Sequence, residues 1–122
     1  MYKVIALLAR RADLSHAAFI EYYESRHAPL ILELMPGIRG YRRNFLVPSG
    51  MIVQAGGAAP DFDVVTELWF ADGAAFESAM RAFDDPGVME RLAQDEANLF
   101  DRSRTRFIAV EERISPIEDC AP

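Results

Sequence analysis

The sequence predicts one α+β domain whose elements run strand, helix, strand, strand, helix, strand. Three observations carry this. Apolar stretches of strand length fall at residues 2–10, 38–47, 62–70 and 105–110. Two regions carry apolar side chains every three or four residues. Each of those regions is crossed once by a proline, Pro29 or Pro86. The order is that of a split βαβ, a ferredoxin-like four-stranded antiparallel sheet with its helices on one face. The domain is expected to span residues 1–112, with 113–122 as a C-terminal tail.

In the first strand, both parities are apolar from Val4 to Ala9, so both of its faces should be covered. Ser15 is a good N-cap for the first helix. Phe19, Tyr23 and His27 then recur at spacing four and share one face. Pro29 has no N–H to give to Ser25 and crowds the turn before it, so the helix is expected to end or kink near His27. That places the imidazole near free carbonyls, where a helix C-terminus favours a cation. Ile20, Leu30, Ile31 and Leu34 widen the apolar side past the kink, and Pro36-Gly37 stops it.

Residues 38–47 read as the second strand, with Gly40 marking a bulge or a close backbone contact. Residues 48–61, rich in Pro, Gly and Ala, form a long loop. In the third strand, 62–70, Val65, Glu67 and Trp69 share one face, and Val64, Thr66, Leu68 and Phe70 the other. Asp72 caps the next helix, which buries Phe76, Ala79, Met80 and Phe83. Asp85-Pro86 ends it and starts another, carrying Val88, Met89, Leu92, Ala93 and Phe100. Helices can cover only one sheet face. The other is expected to meet the same face of a second copy, giving a homodimer built as an α+β barrel. The competing expectation is a monomer whose loop 48–61 covers the sheet.

Composition narrows the function. Nineteen acids against thirteen bases give a net charge of −6 over 122 residues. That argues against a nucleic-acid partner or an anionic membrane surface, since both need clustered positive charge. Arg42-Arg43 and the Arg102, Arg104, Arg106 alternation read as ion pairing along strands. No apolar run reaches the length of a membrane span, and Val4–Ala9, ending in Arg10-Arg11, is too short for a signal peptide. Cys120 is the single cysteine, which suits a cytoplasmic protein. There is no CxxC or HExxH spacing for zinc, no phosphate-cradling glycine loop and no nucleophile elbow. No metal and no cofactor are expected.

His27 is the candidate general acid–base, and Glu67 the second candidate, because a carboxylate among apolar side chains must be paired or protonated. Facing a pocket, Glu67 could orient His27; facing a dimer interface, it would pair with an arginine such as Arg39 or Arg106. Tyr23, one turn before His27, could donate a hydrogen bond to a substrate oxygen. Tyr41, Trp69 and Phe100 could give flat walls for an aromatic ligand.

Leu14-Ser15, Phe19-Ile20-Glu21-Tyr22-Tyr23, His27-Ala28-Pro29-Leu30, residues 36–44, Glu67-Leu68-Trp69-Phe70 and residues 95–101 occur in an order that resembles the EthD family of the dimeric α+β barrel superfamily. The resemblance covers residues 2–112. It implies a small homodimer with a pocket between helices and sheet, and places the family histidine at His27. It does not imply one reaction. The leading expectation is a cofactor-independent enzyme acting on a small apolar or aromatic oxygenated compound, with His27 driving a dehydration, isomerisation or related lyase step. The alternatives are a non-catalytic accessory protein of an oxygenase system that binds a hydrophobic intermediate, and a cofactor-free monooxygenase.

Overall fold

The computed structural model describes residues 1–118 of the chain; Cys120 and the end of the expected tail lie outside them. Four strands, β1 (Tyr2–Leu8), β2 (Gly40–Phe45), β3 (Val64–Phe70) and β4 (Arg106–Val110), form one sheet in the order β2-β3-β1-β4. All three pairings are antiparallel, with Val4 opposite Leu68, Ala6 opposite Phe107 and Tyr41 opposite Leu68. The helices are α1 (His16–Tyr22), α2 (Ala28–Leu34), α3 (Gly73–Arg81) and α4 (Pro86–Ala97). This is the ferredoxin-like α+β arrangement.

The predicted caps do their work. The Ser15 hydroxyl accepts from the Ala18 N–H, and the Asp72 carboxylate accepts from that of Ala75. Asp85 accepts from Gly87 and Val88 just inside Pro86, so one proline stops the short turn Ala82–Asp84 and opens α4. Gly40 meets a close contact rather than a bulge. A Cβ there would stand 2.8 Å from the Trp69 ring, so any larger side chain would push the indole aside.

Of the two outcomes expected at Pro29, an end or a kink near His27, the first fails. The helix does not end at His27. It passes from α1 through a single π turn, Tyr23–His27, directly into α2. The Ala28 N–H reaches the Tyr23 carbonyl, five residues back. The extra residue in that turn lets the chain accept Pro29 without breaking. Ser25 Oγ donates to the Glu21 carbonyl at 2.7 Å and helps satisfy the loosened backbone. His27 therefore lies inside a continuous helical segment, and the helix-terminus account of its environment does not apply.

Strand parity divides the sheet. Val4, Ala6, Leu8, Val64, Thr66, Leu68 and Phe70 point to the helices, and all are buried. The core above them joins Phe19, Tyr23, Leu99 and Phe100 at one end to Ile31, Met35, Phe70 and Ala79 at the other. The opposite face carries Lys3, Ile5, Leu7, Arg42, Val65, Glu67, Trp69 and Ile108. Among the described residues no helix covers that face. Residues 48–61, expected as a covering loop in the monomer alternative, are exposed throughout.

Candidate active site

Between the inner sheet face and the helices lies a cavity of about 320 Å³. Ala6, Leu8, Thr66 and Leu68 form its floor, and the small side chain of Ala6 leaves room in the middle of the sheet. Tyr23, His27, Ile31 and Met35 make one wall. Met80, Phe83, Met89, Leu92 and Glu96 make the other, with Phe100, Arg102, Tyr41 and Phe107 around the edge. The lining is overwhelmingly apolar, with a few polar groups converging on it, as small-molecule sites usually are.

His27 is 4% exposed and lines this cavity. Its Nδ1 lies 2.5 Å from Oδ2 of Asp95, which is also buried. A carboxylate can only accept, so Nδ1 carries the hydrogen and donates it; in the neutral ring Nε2 is then the nitrogen with a free lone pair. Tyr23 and Phe100 meet the imidazole nearly edge-on, with ring centroids at 4.8 and 5.0 Å. The ring is thus fixed by one strong hydrogen bond and two aromatic contacts.

Beside it, the Tyr23 hydroxyl lies 2.5 Å from Thr66 Oγ1. Burial pushes the Tyr23 phenol above its ordinary pKa, against the hydrogen bond from Thr66. Burial does the same, more strongly, to Tyr41, reinforced by the neighbouring Tyr23. Both phenols therefore stay protonated and serve as hydrogen-bond donors rather than bases. Glu96 is also raised, first by burial, while the charges of His27 and Arg102 oppose the shift.

Of the six residues singled out from sequence, four meet here: His27, Tyr23, Tyr41 and Phe100. The other two do not. Glu67 and Trp69 belong to the opposite parity of β3 and lie on the outer face of the sheet. Glu67 accepts from Lys3 Nζ at 2.7 Å and from Asn44 Nδ2 at 2.8 Å. Those bonds, Lys3 first, hold its carboxyl below the usual range. Its partner is a lysine, not Arg39 or Arg106, and it cannot reach His27 through the sheet. Trp69 is flanked there by the cations of Lys3, 4.7 Å from the ring centroid, and Arg42, at 5.2 Å.

Sequence reasoning passed over Asp95 and Glu96. Their signal was present: Asp95 stands three residues after Leu92 and four before Leu99, an acid on the apolar stripe of α4. Glu96 stands four residues after Leu92 and four before Phe100. Of the arginines expected in ion pairs, Arg43 binds Glu24 at 2.6 Å, Arg104 binds Asp101 at 2.9 Å and Arg106 binds Asp61 at 2.7 Å. Arg102 instead borders the cavity. Among the described residues no cluster of His, Cys, Asp or Glu is arranged to hold a metal ion, and no helix is long and apolar enough to cross a membrane.

The profile of the EthD domain matches residues 11–103, most of the chain and every cavity wall but Ala6, Leu8 and Phe107. The chain belongs to the EthD domain family. An ethyl tert-butyl ether D (EthD) family protein from Bacillus halodurans shares this fold. It is 26% identical, with 93% of this chain and 99% of that one covered, at a TM-score of 0.65. The Arabidopsis thaliana protein At3g17210 is 14% identical over 96% of this chain and 100% of its own, at 0.64. SnoaB, a cofactor-independent oxygenase from Streptomyces nogalater, is 16% identical over 93% and 94%, at 0.57. These two likenesses show the fold alone, a ferredoxin-like α+β domain. No curated protein matches the sequence significantly.

Proposed function

We propose that this EthD protein is a cofactor-independent enzyme that takes a small apolar or aromatic oxygenated compound into the cavity and moves a proton with His27. The observation that supports this reading is the buried His27–Asp95 pair at the cavity wall. Asp95 fixes the tautomer and stabilises the imidazolium, so Nε2 can take a proton and return it. The protonated Tyr23 and Tyr41 hydroxyls offer donors to a substrate oxygen in a site whose lining is mostly apolar. A volume of about 320 Å³ suits two fused rings. The reaction class is dehydration, isomerisation or a related lyase step.

The protein is read as acting as a homodimer. Ile5, Leu7, Val65, Trp69 and Ile108 form an apolar stripe on the uncovered face, and Ile108 is 45% exposed. A second copy laid on the same face would bury it. Size-exclusion chromatography of Ile108→Asp should then show a protomer where the unaltered protein elutes as a pair; a single subunit in both samples would refute the dimer.

3-Hydroxy-1-tetralone, whose dehydration product tautomerises to fluorescent 1-naphthol, tests the chemistry. The expected result is turnover by the unaltered protein and a loss of roughly 10²-fold or more in His27→Ala, the size of a general-base contribution. Full activity in His27→Ala would refute the mechanism. Oxygen uptake with an activated phenol would instead favour cofactor-free oxygenation, the activity named for the Streptomyces neighbour. Ligand binding without turnover would favour an accessory binding role.

A further inference from the structure

The cavity holds a second ionisable group that the His27–Asp95 pair does not use. Glu96 follows Asp95 on α4, and the helical step of about 100° between neighbours aims the two carboxyls differently. Asp95 turns to His27 Nδ1, and Glu96 turns into the cavity beside Met89 and Leu92. It is partly buried there, and its carboxyl makes no hydrogen bond or ion pair with any described residue. The charged groups facing it are His27 from the π turn, Arg102 from the turn before β4, and Asp95 on its own helix. From the sheet side come only the phenol of Tyr41, the hydroxyl of Thr66 and apolar groups; the α1–α2 segment adds the phenol of Tyr23. An unanswered carboxyl in a greasy chamber is unfavourable until something bonds to it.

We propose that Glu96 is the second catalytic residue of this cavity, a general acid that protonates the carbonyl oxygen of a cyclic ketone while His27 removes the adjacent C–H proton. The inference rests on the proton-transfer reading of His27. The step balances within the site. The C–H bond breaks and its proton joins Nε2. The electron pair becomes the C=C bond, and the carbonyl π pair takes the Glu96 proton to form the O–H of an enol. Reversal of both transfers regenerates the ketone, imidazole and carboxylic acid. Enolisation of this kind precedes either migration of a double bond or expulsion of a β-hydroxyl. The upward push that burial gives the Glu96 carboxyl favours the acid form this role requires.

1-Tetralone in D2O tests this without knowledge of the natural substrate, because each enolisation exchanges a C2 proton for deuterium and proton NMR reads the loss. The unaltered protein is expected to bind the ketone and catalyse exchange, with a rate that falls as pH rises through the Glu96 ionisation. In Glu96→Gln, an amide donor keeps binding within about threefold but has no proton to transfer. Exchange should drop roughly 10²-fold, and the descending pH limb should vanish. Glu96→Ala should lose binding as well. His27→Ala should bind and not exchange. Exchange at the unaltered rate in Glu96→Gln, with loss in His27→Ala, would overturn the role of Glu96 alone. No loss in either variant, or no exchange by the unaltered protein, would overturn both readings.

Discussion

The two faces of the sheet come from the same four strands and behave as different materials. The inner face buries Val4, Ala6, Leu8, Val64, Leu68 and Phe70, and the Thr66 hydroxyl among them is answered by Tyr23. The outer face mixes an apolar stripe with Lys3, Glu67, Asn44 and Arg42. Each side has a glutamate, and the pair is instructive. Glu67, bonded to Lys3, titrates below the ordinary range. Glu96, desolvated against the cavity, titrates above it. Residue type gives neither role. A neighbouring cation makes one a structural anion, and its absence at hydrogen-bond distance leaves the other free to hold a proton.

Substitutions should separate the faces most sharply in the core. Phe70→Ala, at a position with no exposure, is expected to destabilise the fold by about 3–5 kcal/mol in urea unfolding. Ile108→Ala on the outer face should cost the protomer less than about 1 kcal/mol. Equal losses at both sites, independent of protein concentration, would erase the distinction.

The glutamates give a smaller and sharper contrast, because their effects should differ in sign. The folded protein holds the Glu96 proton more tightly than the unfolded chain does. Stability is therefore lost as pH rises from about 4.3 through the folded value. Glu96→Gln should stabilise by on the order of 1 kcal/mol at pH 8 and by nothing near pH 4. Glu67 runs the other way: its contribution is present above about 4.3 and lost as pH falls through its lowered folded value. Glu67→Gln should destabilise by less than about 1 kcal/mol at pH 7, the difference fading in acid. Thermal melts of both variants across pH 3–8 check the pair; slopes of the same sign would show that the two environments were misjudged.

Much of this is legible in the sequence. Apolar stretches and turn chemistry located the strands, and Ser15, Asp72 and Asp85-Pro86 capped the helices as expected, because these are contacts between near neighbours in sequence. Parity also put Glu67 and Trp69 together. Alternation cannot say which face meets the helices, since Ile5, Leu7 and Val65 are as apolar as Val4, Leu8 and Leu68. The Asp95 partner of His27 lies 68 residues away, a pairing that only the packing of α4 on the π turn creates. Local helix rules leave an end or a kink open at Pro29 and cannot choose between them, whereas α2 gains enough from burying Ala28, Ile31 and Leu34 to carry the chain onward.

Tyr23, His27, Ile31 and Met35 follow one another at intervals of four along that continuous segment, and all four line the cavity. In an unmodified α-helix an interval of four overshoots a full circle by about 40°, so three such steps would swing the last side chain roughly 120° out of line. The wide turn takes up one residue more than its neighbours and cancels part of that rotation. An irregularity forced by proline thereby acts as a phase correction, keeping an imidazole, a phenol and two aliphatic groups abreast along a single rail.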